Sequence, residues 1–211
     1  MSIIVPAILT SDENTYHDNL LMAERVSGLV QVDIVDGKFA DTLTVGTDII
    51  AKYLSNASLE AHLMVKYPLN FVNDLAKIDY VSKIILPYEI EGNHHDYIYQ
   101  VKNNLKQVGL SINPGTPVEA ILHLLDELDM LLILGVEPGR QGQEFKSDVL
   151  SKIHAVKKVA PGLPVEIDGG LRFENVKKIK EAGADFIAAG SILYKAQDFF
   201  IAWEKLTKLA A

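Results

Sequence analysis

The chain has 211 residues, 48% hydrophobic and 23% charged, with a formal net charge of −8 and no cysteine. This is the composition of a globular protein with a sizeable core; it excludes disulfides, thiolate metal sites and a cysteine nucleophile, and its acidity speaks against nucleic-acid partners, which need a basic face. No apolar run is long enough to span a bilayer and Met1-Ser2-Ile3-Ile4-Val5-Pro6 lacks the basic start of a leader, so a cytoplasmic protein without membrane partners is expected.

Short β-like runs alternate with amphipathic stretches along the whole chain. Ile3–Ile8 reads as a strand, and Tyr16–Val26 as a helix with Leu20, Leu21 and Ala23 on one side. Val30–Val35 is a second strand, ending in the turn former Asp36-Gly37 and followed by a helix near Asp48–Leu54. Leu59–Val65 is a third, with a helix around Phe71–Ile78, and Lys83–Leu86 a fourth, with a helix from His95 to Gln107. Leu110–Asn113 leads through Pro114-Gly115-Thr116-Pro117 into Val118–Leu128. Met130–Leu134 is a sixth strand, with a helix from Ser147 to Val159. Pro164–Ile167 is followed by Glu174–Ala182, and Asp185–Ala189 by a closing helix Ile192–Leu209.

Such alternation implies parallel pairing with right-handed crossovers. Eight units without a linker point to a single (β/α)8 TIM barrel over residues 1–211, with its active site at the C-terminal ends of the strands. A doubly wound open sheet is the competing fold, but no Gly-rich dinucleotide fingerprint follows the first strand.

Side chains alternate along a strand, so Gln31, Asp33 and Val35 share one face and Val30, Val32 and Ile34 the other. A carboxylate in such a run is costly unless something pairs with it. Asp33 on the second strand, His62 on the third and Asp168 at the end of the seventh converge when a barrel closes. Two carboxylates and an imidazole can hold a borderline divalent cation or act as acid–base partners. Alternatively, the aspartates accept backbone hydrogen bonds and His62 is a satisfied core residue. Of the six histidines His62 alone lies in an expected strand. His17, His123 and His154 fall on helices, and His94-His95 in a loop is read as surface, since adjacent residues point apart.

Glycines follow the last three strands: Gly139 and Gly142 with Arg140 and Gln141 between them, then Gly169-Gly170, then Gly190-Ser191. Small residues let backbone N–H groups approach a phosphate, and the loops after strands seven and eight are a recurrent phosphate site in barrels. The other reading is that these are turns and that Ser191 caps the last helix. The residues alone thus reach a barrel that binds a phosphorylated small molecule beside two carboxylates. Such a pair suits taking a proton from one face of a carbon and returning it on the other.

These stretches resemble the ribulose-phosphate 3-epimerase family along nearly the whole chain. The resemblance rests on Val5-Pro6-Ala7-Ile8-Leu9, Val32-Asp33-Ile34-Val35-Asp36-Gly37, Leu43-Thr44-Val45-Gly46 and Ala61-His62-Leu63-Met64-Val65. Asn113-Pro114-Gly115-Thr116-Pro117, Glu137-Pro138-Gly139 to Gln143, Glu166-Ile167-Asp168-Gly169-Gly170 and Ala189-Gly190-Ser191 continue it in order. It implies a TIM barrel that epimerises a pentulose 5-phosphate at carbon 3, with Asp33 and Asp168 as the proton carriers. It also implies one divalent metal (Zn, Fe, Mn or Co) on Asp33, His62 and Asp168, with Gln31 at the position of a fourth ligand. The phosphate would lie against Gly139, Arg140, Gln141, Gly142, Gly169, Gly170, Gly190 and Ser191. Ala7, Met64, Leu134 and Lys38 would surround the sugar, and assembly as a homo-oligomer is implied. Several positions depart from the family: Gln31 replaces a histidine ligand, Ala7 a serine, and Val35 and Leu134 methionines, while Lys38, Ala40 and Asp41 alter the second loop and Arg140-Gln141 the sixth. Those departures suit two other readings, an isomerase or lyase for another phosphosugar that works without metal, with Lys38 supplying positive charge, and a non-catalytic phosphosugar-binding protein.

Overall fold

The computed structural model describes residues 1–139 and 142–211. Its strands are β1 (Ile3–Ile8), β2 (Leu29–Val35), β3 (Ser58–Met64), β4 (Val81–Pro87), β5 (Gln107–Ile112), β6 (Met130–Leu134), β7 (Val165–Asp168) and β8 (Phe186–Ala189). Each pairs in parallel with the next, and β8 closes on β1 through Ile3–Phe186 to Pro6–Ala189, so the expected TIM barrel is the fold. The helices are α1 (Glu13–Glu24), α2 (Thr47–Lys52), α3 (Leu69–Leu75), α4 (His94–Asn103), α5 (Leu150–Val159), α6 (Val176–Glu181), α7 (Ser191–Tyr194) and α8 (Phe199–Ala210), with 3₁₀ segments at Val118–Glu127 and Ser147–Val149.

The strands are buried on both faces, and alternation sorts their side chains into two cores. Val30, Val32, Ile34, Leu59, Ala61 and Leu63 belong to the large cluster between sheet and helices. Ile85, Met130, Leu132 and Leu134 form a separate, smaller cluster inside the barrel, with Phe186 against it. A parallel sheet covered by helices on its outside demands apolar residues there, whereas the inside of the barrel is free to carry polar groups at its mouth. Gln31, Asp33, Glu60, His62, Lys83 and Glu166 are the buried polar positions on the inner alternation of β2, β3, β4 and β7.

Local chemistry shifts several boundaries. α1 starts earlier than the apolar pattern alone suggests because Asp12 caps it, accepting the Thr15 N–H at 2.7 Å. Its core side is Tyr16, Leu20 and Ala23, while Leu21, 100° further round the helix than Leu20, is exposed. The helix expected to run to Gln107 ends at Asn103: Leu105 takes a left-handed conformation (φ 59°), and Gln107 is already in β5 register with Lys83. In Val118–Glu127, Val118, Ile121 and Leu124 are buried at a spacing of three, the period of a 3₁₀ helix. The closing helix is two helices, because the side chain of Asp198 caps a new start by accepting from the N–H groups of Phe200 and Ile201.

Candidate active site

Register sets the site. Asp33 on β2 lies directly opposite His62 on β3, and Asp168 ends β7 across the barrel. The His62 Nδ1 atom is 3.1 Å from Asp33 Oδ1 and 3.5 Å from Asp168 Oδ2. Gln31, one inward position below Asp33, donates from Nε2 to Asp33 Oδ1 at 2.7 Å and to Asp168 Oδ2 at 2.9 Å. The four side chains therefore form a closed ring in which two nitrogens alternate with two carboxylate oxygens. Gln31 and His62 are fully buried, and Asp33 is 5% exposed. Thr44, from the loop after β2, secures this strand end: its hydroxyl donates to the Asp33 carbonyl at 2.8 Å and accepts the Val35 N–H at 2.9 Å.

Burial and the negative charge of Asp168 push the Asp33 carboxyl up to about 6, against the lowering effect of His62 and Gln31. Burial alone would pull the His62 imidazole down, but its hydrogen bonds to Asp168 and Asp33, and their charges, more than offset this and raise it to about 9. Such perturbed groups in a cleft mark a site for acid–base or metal chemistry. Asp33, His62 and Asp168 present ligand atoms that all lie within 4.8 Å of one another, and two carboxylate oxygens with one imidazole nitrogen suit a borderline divalent cation. Gln31 turns its amide nitrogen to the two carboxylates, and its Oε1 is buried with no hydrogen-bond partner. A divalent cation fits this group of residues.

The cavity above the ring is lined by Asp33 and Asp168 together with Ala7, Met64, Leu134, Gly139, Gly142, Gly169, Gly170, Gly190 and Ser191. One pocket thus holds the carboxylates and the glycine-rich loops that sequence spacing singled out. Gly170 has φ +71°, and a Cβ there would come within 2.7 Å of the Phe145 Cα, so only glycine lets this loop fold against Phe145. Arg140 and Gln141 lie outside the described residues. Lys38 does not line this cavity; it lies in an adjoining cleft with Lys66 and Glu89, the loop after β2 being turned by the Asp36 carboxylate, which accepts the N–H groups of Lys38 and Phe39. Leu9, Val136, Leu171 and Ile192 also line the cavity. Sequence reading missed them because single apolar residues just past strand ends carry no motif.

A second polar layer lies one inward position below Asp33, His62 and Asp168, level with Gln31. Lys83 donates to Glu60 Oε2 at 2.8 Å and packs near Met130 Sδ and the Phe186 ring, all but sealed from water. Glu166, two residues before Asp168, is fully buried; burial and the nearby Glu60 charge hold it well above the usual carboxylate range. The signal was present in the sequence, since Glu60 and Glu166 stand at i−2 from His62 and Asp168 on the same strand faces. The remaining histidines stay apart from this centre. His94 bonds the Tyr88 carbonyl, His95 pairs with Glu127, and His17 stacks on Tyr53. Among the described residues the Asp33–His62–Asp168 group is the one with metal-ligand geometry.

The Ribulose-phosphate 3 epimerase family matches residues 3–194. The chain belongs to the ribulose-phosphate 3-epimerase family. The ribulose-phosphate 3-epimerase of Schizosaccharomyces pombe is 35% identical over 201 residues, covering 92% of this chain and 87% of the relative. That of Bacillus subtilis is 32% identical over 205 residues, covering 92% and 93%. Among solved structures, 3-hexulose-6-phosphate synthase from Salmonella typhimurium aligns with TM-score 0.72 at 18% identity over 99% of this chain and 98% of that one. Orotidine 5′-phosphate decarboxylase from Pyrococcus horikoshii aligns with TM-score 0.69 at 16% identity over 99% of both chains. At those identities the likeness shows the barrel and nothing of the reaction.

Proposed function

We propose that the protein is an epimerase that inverts carbon 3 of a ketose phosphate of the ribulose 5-phosphate/xylulose 5-phosphate type, with Asp33 and Asp168 as its two proton carriers. The observation that carries this reading is the pair of carboxylates on β2 and β7 lining one cavity with the loops of Gly139, Gly142, Gly169, Gly170, Gly190 and Ser191. The family membership supports the same reaction class.

In this reading the substrate phosphate is held at the glycine loops, where backbone N–H groups approach without interfering side chains, and the Ser191 hydroxyl adds a donor. Fixing that end places carbon 3 between the aspartates. One carboxylate removes the carbon 3 proton, which leaves negative charge spread over an enediolate. The other, carrying a proton, delivers it to the opposite face. The reaction needs one ionised and one protonated member of the pair. Burial and the charge of Asp168 push the Asp33 carboxyl up to about 6, so it takes up a proton far more readily than an ordinary aspartate. A divalent cation bound by Asp33, His62 and Asp168 would stabilise the charge on the sugar oxygens. The His62 imidazole, facing both carboxylates, keeps them aligned across the cavity. Leu134, Met64 and Ala7 shape the sugar's contact surface and exclude water from the enediolate.

Each aspartate is tested by its amide. Asp33→Asn and Asp168→Asn should each lose about 10²-fold or more in turnover of ribulose 5-phosphate, the scale of a lost acid–base group, with the circular dichroism of the folded barrel retained. Unchanged turnover in either variant would overturn the assignment.

A further inference from the structure

Gln31 is fully buried, and both Nε2 hydrogens are used, one on each aspartate, at 2.7 and 2.9 Å. The other half of the same amide is unsatisfied: Oε1 is buried and has no partner. A buried acceptor without a donor is costly. Turning the amide over exchanges oxygen for nitrogen while every heavy-atom position is kept. The oxygen then occupies the place between Asp33 Oδ1 and Asp168 Oδ2, and the N–H₂ group occupies the place where an unpartnered oxygen stands now. With nothing but the two carboxylates in front of it, an oxygen there is repelled. With a cation among Asp33, His62 and Asp168 it is attracted, and becomes a fourth ligand.

We propose that Gln31 is a two-position amide: nitrogen toward the aspartates it ties the carboxylates together in metal-free protein, and oxygen toward them it joins Asp33, His62 and Asp168 around a divalent cation. The cation and the N–H₂ group thus replace one another in holding the same two carboxylates. Gln31 is a positioning residue in one state and a ligand in the other. The proposal rests on the epimerase reading only in taking the cation as the site's normal occupant.

The test uses binding without turnover. Equilibrium dialysis with Co(II), and the visible spectrum of the bound ion, are compared for the unmodified full chain, Gln31→Leu and Gln31→His, with folding checked by thermal melts. The Leu variant, which keeps the volume and removes both amide atoms, should bind Co(II) about tenfold or more weakly, with a changed spectrum. The His variant should restore or exceed the original affinity. Equal Co(II) affinity and spectrum in the Leu and unmodified proteins would overturn the proposal. In unmodified ¹⁵N-labelled protein, the Gln31 side-chain N–H₂ signals, assigned by their loss in Gln31→His, should move on saturation with Zn(II). Signals that stay in place would overturn it even if a variant fails to fold. A failure of the epimerase reading would show as no turnover, while these binding readouts would be unaffected.

Discussion

At the scale of residues, the two aspartates and His62 were legible in the sequence because a polar residue inside an apolar strand run has few reasons to be there. Gln31 was visible as a polar residue on the Asp33 face and as a departure from a resemblance. Its bonds to both carboxylates depend on β2 and β7 facing one another across a closed barrel, a relation that strand order alone does not give. Glu60 and Glu166 stayed unread because an acidic residue near a strand start looks like a solvated end until both faces of the sheet are covered. The charge state of His62 carries a pH prediction. Its folded value is raised from 6.5 to about 9 in metal-free protein, so the stability its proton confers is present below about 6.5 and lost as pH rises through about 9. A cation must displace that proton from between the carboxylates. Metal affinity should therefore rise by up to about tenfold per pH unit between pH 6.5 and 9, with proton release on binding, measurable by calorimetry of chelated protein in buffers of different ionisation enthalpy. An affinity flat across that window would show that His62 is uncharged.

At the scale of elements, the order and kind of units followed directly from alternation, whereas their ends were fixed by interactions at separate positions in the chain. Asp12 and Asp198 moved helix starts by capping, Leu105 stopped α4 by leaving the right-handed region, and a spacing of three turned Val118–Glu127 into a 3₁₀ segment. The loops that hold the phosphate in the proposed reading have a similar dependence. Gly170 looked like a turn glycine in the sequence; in the fold it is also the point where the loop after β7 meets the Phe145 backbone. Gly170→Ala should cost about 1–3 kcal/mol of stability in urea denaturation and raise KM for the phosphosugar more than it lowers kcat. A variant with both unchanged would remove this loop from the phosphate site.

At the scale of the whole molecule, the apolar pattern of the strands was sufficient for the barrel, because a parallel sheet with helices on its outside needs that pattern. The pattern does not reveal that the barrel's interior carries a stack of polar layers. The ring of Gln31, Asp33, His62 and Asp168 stands on a floor made of Glu60, Lys83 and Glu166. Lys83 is the cation among these buried acids, so Lys83→Met should leave Glu60 unpaired and destabilise the fold by about 3–5 kcal/mol in urea denaturation. A stability within experimental error of the original would mean that the floor is neutral without it. Gln31 bonds both aspartates and Ala7 lines the cavity beside them, so chemistry in that cavity is the decisive observable. Incubating the purified protein with ribulose 5-phosphate in deuterated water, and following carbon 3 by proton NMR, tests it most directly. Deuterium should enter at carbon 3, and xylulose 5-phosphate should accumulate toward equilibrium. Bound substrate whose carbon 3 proton is retained would contradict it.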